Sequence, residues 1–348
     1  MSDDAQARRT APGVSVIMPV RDEERHLAEA AGSVLSQDYP GPLELILAIG
    51  PSKDATQQIA ERIAAADSRV ILVANPSGQI PTALNAAIKA SCHDIVVRVD
   101  GHALLPSGYI ATAVRTLAET GAVNAGGIMA AEGITPFQRA VAWAMTSPAG
   151  VGSAKYHTGG TVGPAQSVYL GAFQRSALEQ VGGYDEHYLR AEDWEMNHRL
   201  REAGGLIWFQ PELAVSYRPR ATAGRLASQY FHYGRWRHVV ARMHAGTINL
   251  RYLAPPTVVA AILIGLGAGL AGALSAAAGA GGLWPRVLLA GFSAPVLYLL
   301  GVAAVTCLAA KTLRGRALAA IPVALVTMHF SWGIGFLTSP RRLSGASR

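Results

Sequence analysis

No acidic residue follows Glu212, and the 14 lysines and arginines beyond that point flank three long apolar stretches, near 254–279, 287–310 and 317–337. This feature constrains the chain most, because each stretch has the roughly 20 residues needed to cross a bilayer core. The Gly/Ala richness of the first stretch lets helices approach closely. Up to Glu212 the balance is opposite, with 23 acids against 16 bases, so the overall charge of +7 describes neither part. Basic residues at the edges of apolar runs indicate membrane insertion. A nucleic-acid partner is excluded on the same ground, since such a protein interleaves bases and aromatics over a soluble fold.

At 348 residues the chain allows about two domains. The expected divisions are a polar tail over 1–12, a globular domain over 13–216, a basic amphipathic segment over 217–252, a membrane region over 253–338 and a basic tail over 339–348. The N-terminus lacks the apolar core of a signal peptide, which assigns the globular domain to the cytoplasm of a multi-pass membrane protein. Seven arginines, together with Tyr230, Phe231, Tyr233 and Trp236, lie between Tyr217 and Arg251, a pattern suited to a helix in the headgroup layer touching membrane lipids. That segment and Lys311–Arg316 both belong on the cytoplasmic side, which agrees for the first two spans. Three full crossings then leave Arg341, Arg342 and Arg348 outside, against the rule. Pro322, His329, Ser331 and Trp332 mark the third stretch as the least regular, either crossing or re-entrant; three crossings is the expectation adopted.

The globular part reads as α/β. Val14–Val20, Leu43–Ile49, Val70–Val73 and Ile95–Val99 are short β-branched or aliphatic runs suited to buried parallel strands, and helical segments alternate with them. Arg21-Asp22-Glu23-Glu24 is predicted to open a helix with acids in its first turn. Asp54 with Gln57 is predicted to cap another as a capping box. A glycine-rich segment from Gly150 to Gly163 reads as a mobile loop over the site or as a surface connection. Glu192-Asp193-Trp194-Glu195 begins a late helix. Two cysteines, Cys92 and Cys307, encode neither a disulfide framework nor a zinc site.

The fourth strand carries the chemistry. Val96-Val97-Arg98-Val99-Asp100-Gly101-His102 runs from apolar residues into a carboxylate, a glycine and an imidazole. Ligands in open sheets sit at the carboxyl ends of strands, so Asp100 and His102 would emerge where one divalent ion and a diphosphate can be held. A solvated turn is the plain alternative.

Val14–Pro19, Asp100-Gly101-His102 and Glu192-Asp193 stand in the order and approximate spacing of the inverting family 2 glycosyltransferases, and the chain resembles that family. Asn75-Pro76, Leu84–Ile88, Val97–His102, Thr146–Gly152, Gly171–Arg175 and Gln229–Arg235 bring it nearest the succinoglycan-type membrane enzymes. The resemblance covers roughly 13–240 and implies a GT-A (Rossmann-like) catalytic domain followed by interfacial and transmembrane helices. It implies that Asp100 holds Mn²⁺ or Mg²⁺ against the donor diphosphate. His102 stands where relatives carry a second carboxylate, and its imidazole tilts the choice toward Mn²⁺. His232 is a third candidate ligand, or simply an interfacial residue. Asp193, beside Glu192, matches the catalytic base, with its proton affinity raised by the neighbouring charge. Both acids otherwise serve a helix N-terminus. Pro19, Val20, Arg21, Glu23, Asp54, Asn85 and Arg98 are expected at the donor. Arg235 and Arg237 are expected to grip a phosphate or, equally, anionic headgroups.

The expected activity is non-processive transfer of one sugar from a nucleotide-sugar, UDP first, to a polyprenyl-linked saccharide in cell-surface polysaccharide synthesis. Gln229 and Arg235-Trp236 stand too far apart for the Gln-x-x-Arg-Trp signature of processive synthases. Relatives carry an Asp after the second strand where this chain has Ile49, which opens the choice of nucleotide base. Two other readings stand beside this one: a polyprenyl-phosphate glycosyl synthase, and a catalytically degenerate membrane scaffold. A transporter is disfavoured because the spans lack polar midplane pairs and any repeat.

Overall fold

The structure, a computed structural model, describes residues 11–344. Most of the polar tail expected over 1–12, and Arg348 at the far end, lie outside the described residues. The chain divides into two compact units, one formed by 1–130 with 154–217 and the other by 131–153 with 218–348.

The first unit is built on strands β1 (Val14–Val20), β2 (Leu43–Ile49), β3 (Val70–Ala74) and β4 (Ile95–Arg98). Further along the chain come β5 (Asn124–Gly127), β6 (Met129–Ala131), β7 (Gly163–Pro164), β8 (Tyr169–Gln174), β9 (Ile207–Phe209) and β10 (Val215–Tyr217). The main sheet has the order β3-β2-β1-β4-β8-β5-β9-β7, while β6 and β10 form a separate pair. β1 pairs in parallel with β2 on one side and with β4 on the other. The sheet is mixed, because β8 enters antiparallel between β4 and β5. The four strands read as parallel do pair in parallel, β2 with β3 as well as β1 with β2 and β4.

Period-two alternation explains the long apolar runs. Val14, Val16 and Met18 face one apolar core with Leu27, Ala31 and Ile110, whereas Ile17, Ile46 and Val96 face the other with Leu84, Met196 and Leu200. Two local expectations are corrected. The helix after β1 starts only at Leu27, so Asp22–Glu24 form a turn before it. The helix after β2 starts at Thr56, and no box forms there: Asp54 accepts from the Thr56 amide and hydroxyl, while Gln57 Nε2 turns to Glu61. The glycine-rich segment adopts helical turns at Pro148–Val151 and Lys155–Thr158, and Lys155 Nζ donates to the Thr161 and Pro164 carbonyls.

In the second unit, three helices are long and apolar enough to cross a membrane: Leu250–Ala277, Leu283–Ala309 and Gly315–Leu337. The basic segment becomes one helix, Ala223–Met243. Glycines set its packing against the Ile321–Leu337 helix. A Cβ on Gly234 would stand 2.0 Å from the Trp332 carbonyl oxygen, and one on Gly335 would stand 2.1 Å from that of Phe231. His329, an oddity inside an apolar stretch, is satisfied on both ring nitrogens: Tyr298 Oη lies 3.1 Å from Nδ1, and Nε2 lies 2.8 Å from the Ala149 carbonyl oxygen. The neutral tautomer with its proton on Nε2 fits both partners.

The close backbone approach at Gly335 predicts that Gly335→Ala costs about 1–3 kcal/mol despite alanine's better helix propensity, because a carbonyl cannot swing aside. Gly301→Ala, where nothing lies within 4 Å, should leave the melting temperature in detergent unchanged or raise it.

Candidate active site

The strand order reverses at β1, whose next strand β2 lies on one flank while β4 lies on the other. Open α/β sheets bind ligands at the carboxyl ends flanking such a point. There β1 runs out through Pro19 and Val20 into Arg21–Glu24, and β4 runs out through Arg98 into Val99–His102.

The loop after β1 is tied to the loop after β2. Asp22 takes a left-handed φ of 54°, its amide donates to Ser52 Oγ at 3.1 Å, and its Oδ1 accepts from the Lys53 amide at 2.8 Å. The Glu23 amide donates to Thr56 Oγ1, and the Glu24 amide to Asp54 Oδ2. Asp54, expected at the donor, is thus engaged in holding these loops. Arg21 reaches the Gly78 carbonyl at 3.3 Å. Glu23 Oε1 lies 2.8 Å from His102 Nδ1, so the imidazole is oriented by a carboxylate. Glycine at 101 permits this approach, since a Cβ there would meet Glu23 Cγ at 3.3 Å.

Arg98 is the centre of the arrangement. Its side chain is only 4% exposed, and Nη2 lies 3.2 Å from Asp100 Oδ1 and 3.4 Å from Glu192 Oε1. Its Nη1 pairs with Asp193 Oδ1. Carboxylates from the end of β4 and from a helix 94 residues further along therefore meet on one guanidinium. The Tyr184 ring centroid lies 6.0 Å from the Arg98 guanidinium carbon. Sequence reasoning placed Arg98 at the donor but missed this gathering role. The available signal was a charged residue inside an otherwise aliphatic strand.

The helix Glu192–Glu202 delivers Glu192 and Asp193 in its first turn, where the macrodipole favours acids. It is launched from Ala191 at a φ of 66°, a left-handed conformation unfavourable to a residue with a Cβ. Burial drives the Asp193 carboxyl up to about 7; Arg98 pulls the other way, and the Glu192 charge adds to the rise. The neighbouring acid was expected to be the cause, and burial proves larger.

Asn85, expected at the donor, braces a turn: its Nδ2 donates to the Tyr184 carbonyl and to Glu186, and its Oδ1 accepts from the Tyr184 amide. Ile49 ends β2 in the apolar core, 8% exposed, and offers no polar atom to a base. His232, Arg235 and Arg237 belong to the Ala223–Met243 helix of the other unit. Arg237, expected at a phosphate, is buried; it donates to the Thr247 carbonyl and stacks 3.8 Å above the Tyr252 ring. Arg235 lies over Phe231 at 4.5 Å, and His232 stands edge-on to the same ring.

A divalent ion fits Asp100. Its Oδ1 is shared with Arg98, and among the described residues nothing donates to its Oδ2. One carboxylate plus diphosphate oxygens is a sufficient shell for a hard cation. Among the described residues, the one group of three ligand types within 4.8 Å is elsewhere: Glu44, Cys92 and His93, at the amino ends of the strands. Hydrogen bonds account for that group, since Glu44 accepts from Ser15 Oγ, the Cys92 amide and the Cys92 thiol.

Removing Arg98 would leave carboxylates facing one another without a counter-charge. Arg98→Gln should cost about 3–5 kcal/mol. In an Asp193→Asn background the cost should shrink, and a double-mutant cycle on thermal unfolding measures that difference.

The profile described as "Glycosyl transferase family 2" matches residues 15–182. The succinoglycan biosynthesis protein ExoA of Rhizobium meliloti (strain 1021) is 31% identical over 323 residues, which is 92% of this chain and 93% of that protein. A dolichyl N-acetyl-alpha-D-glucosaminyl phosphate 3-beta-D-2,3-diacetamido-2,3-dideoxy-beta-D-glucuronosyltransferase of Methanococcus voltae is 21% identical over 70% of this chain and 77% of its own length. Among solved structures, a mannosyltransferase from Pyrobaculum calidifontis in complex with GDP-Man and Mn²⁺ superposes with a TM-score of 0.54 at 22% identity. That alignment covers 92% of this chain and 88% of the other, and it shows the shared GT-A fold. The chain is a glycosyltransferase and belongs to family 2.

Proposed function

We propose that this glycosyltransferase is membrane-bound, metal-dependent, inverting and non-processive, and that it moves one sugar from a nucleotide-sugar to a hydroxyl of a lipid-linked saccharide. The observation that carries this reading is the meeting of Asp100 and Asp193 on Arg98 at the strand-order reversal. Inverting transfer is a single displacement, so it requires a group for the leaving diphosphate and a separate carboxylate for the attacking hydroxyl. These two acids supply one each.

In this reading Asp100 holds the Mn²⁺ or Mg²⁺ ion, with His102 beside it. When bound, such an ion offsets the negative charge that develops on the departing nucleotide. Asp193 accepts the proton of the acceptor hydroxyl as its oxygen attacks the anomeric carbon from the face opposite the diphosphate. Arg98 fixes the Asp193 carboxylate through one arm of its fork and keeps Glu192 in line through the other. Burial keeps Asp193 basic enough to take a proton near neutral pH.

The relatives support the two substrates. The Pyrobaculum protein was captured with GDP-Man and Mn²⁺, and the Methanococcus protein's name contains a dolichyl-linked sugar phosphate. UDP is the preferred carrier, and Ile49 in place of a base-reading carboxylate leaves GDP or another carrier open. A chain carrying its own apolar helices works at a membrane surface, with the catalytic residues on the cytoplasmic side of the cell membrane, where a polyprenyl-linked acceptor is at hand. Polyprenyl phosphate itself is the second acceptor, and presenting both acceptors to the same preparation separates them.

Asp193→Asn should abolish transfer while Mn²⁺-dependent binding of the nucleotide-sugar, read by thermal shift, stays within a few-fold. Asp100→Ala should lose the Mn²⁺-dependent shift itself. Transfer retained by Asp193→Asn, with donor binding lost, overturns the assignment of roles. The pH profile offers an independent check. A base with its proton affinity raised to about 7 is protonated, and idle, at lower pH. Turnover should therefore fall as pH drops through about 7, whereas an ordinary aspartate would stay ionised to about 4.

A further inference from the structure

The amino ends of the strands, at the opposite end of the sheet from Asp100, carry a second cluster of chemistry-bearing side chains. Glu44 stands near the start of β2, a strand whose seven residues are all buried, and is itself 8% exposed. In register with it on β1 is Ser15. Cys92 and His93 lie in the turn that leads into β4. One ligand atom from each of Glu44, Cys92 and His93 falls within 4.8 Å of the other two.

The hydrogen bonds that account for this group also hold it in a posture ready for a cation. Glu44 Oε1 accepts from Ser15 Oγ at 2.5 Å and from the Cys92 amide at 2.8 Å. Oε2 accepts from the Cys92 thiol at 3.2 Å, and among the described residues no other group donates to it. The turn is pinned by its backbone. The His93 amide donates to Ser15 Oγ at 3.1 Å. Arg175 Nε donates to the His93 carbonyl at 2.7 Å, and its Nη2 to Ser91 Oγ at 2.9 Å. The imidazole lies against Gly13, where a Cβ would stand 2.2 Å from Nδ1, so glycine leaves the room that the ring needs.

A thiolate, an imidazole and a carboxylate are a zinc donor set. Zinc–sulfur and zinc–oxygen bonds of about 2.3 and 2.1 Å at a tetrahedral angle put those two ligand atoms about 3.6 Å apart. The thiol sulfur and Oε2 already stand 3.2 Å apart, so the ion replaces the thiol proton with a small opening. One thiolate and one carboxylate also cancel its charge. A soft sulfur donor disfavours Mg²⁺ and Mn²⁺, the ions suited to Asp100 and a diphosphate. Cys92 is exposed and His93 half-buried, which gives the ion a path from solvent and leaves a fourth position to water.

We propose that Glu44, Cys92 and His93 bind one Zn²⁺ ion that ties β2 to the turn before β4, across the intervening β1. On binding, the Sγ–H bond of Cys92 gives way to an Sγ–Zn bond and the proton leaves to solvent; no electron is transferred. Ser15 orients the carboxylate from outside the ligand set. The role is structural, a link between residues 48 apart in the chain. That separation is why the spacing of the cysteines shows no zinc pattern.

The test uses the full chain without an affinity tag, purified in detergent and stripped with a chelator. In this parent, Asp100→Ala removes the ion expected at the other end of the sheet, and Cys307→Ser leaves Cys92 as the one thiol. After zinc loading and gel filtration, retained metal is measured by plasma mass spectrometry. Co²⁺ in its place reports sulfur ligation through a thiolate-to-cobalt charge-transfer band. One equivalent of zinc and the band are expected, both lost in Cys92→Ser, and zinc should raise the melting temperature of the parent but not of that variant. Ser15→Ala, which keeps all three ligands, should weaken zinc binding about 10–100-fold. No zinc retained by the parent, no band with Co²⁺, or retention unchanged in Cys92→Ser overturns the proposal. Should Cys92→Ser fail to fold, Glu44→Gln and His93→Ala give the same reading: loss of zinc in each supports the site, and undiminished zinc in either overturns it.

Discussion

A buried guanidinium holds the working end of the catalytic unit together. Arg98 sits on the last residue of a central strand, where its backbone is fixed by β1 on one side and β8 on the other. A charge so placed is costly to bury unless acids surround it. Asp100, Glu192 and Asp193 supply them, and that requirement draws the first turn of the Glu192–Glu202 helix to the carboxyl end of β4. Strain at Ala191 and burial of Asp193 are tolerated because this set of charges stays matched. The Asp193 carboxyl is thereby kept both oriented and proton-hungry, two properties that an exposed aspartate lacks.

The second unit solves a different problem with related means. Its polar groups lie among apolar helices, and several of them find a partner in another segment. His329 bridges Tyr298 and Ala149, Arg237 reaches Thr247 across the Tyr252 ring, and Arg242 closes over the chain at Ser339 and Pro340. Glycines at 234, 333 and 335 bring backbones close enough for dispersion contacts to hold helices that no hydrophobic effect would drive together in lipid. The aromatic and arginine residues that read as a phosphate grip are in good part the packing of this unit.

Local patterns were legible where one physical factor dominated. The aliphatic runs of β1 to β4 and the acid-led helix at Glu192 were readable, because burial or a helix end settles each alone. Misreadings arose where two local preferences competed. Asp22–Glu24 suit a first helical turn, yet the tie between the loops at Ser52, Lys53 and Thr56 holds them in a turn instead. Asp54 suits a capping box, yet Thr56 and Glu24 take its oxygens. The bracing of Asn85 on Tyr184 was not legible because the two lie 99 residues apart.

The amino-acid sequence by itself determined the division into an α/β part and an apolar, basic part, and the order of the two acids that matter, because hydrophobic period and charge distribution are written along the chain. Only the tertiary structure decided that β8 would insert antiparallel, that 131–153 would join the C-terminal helices, and that Arg98 would unite Asp100 with Asp193. These outcomes depend on pairing between distant segments. Burial makes such a pairing obligatory without naming the partner, and the partner is known only when the chain has folded.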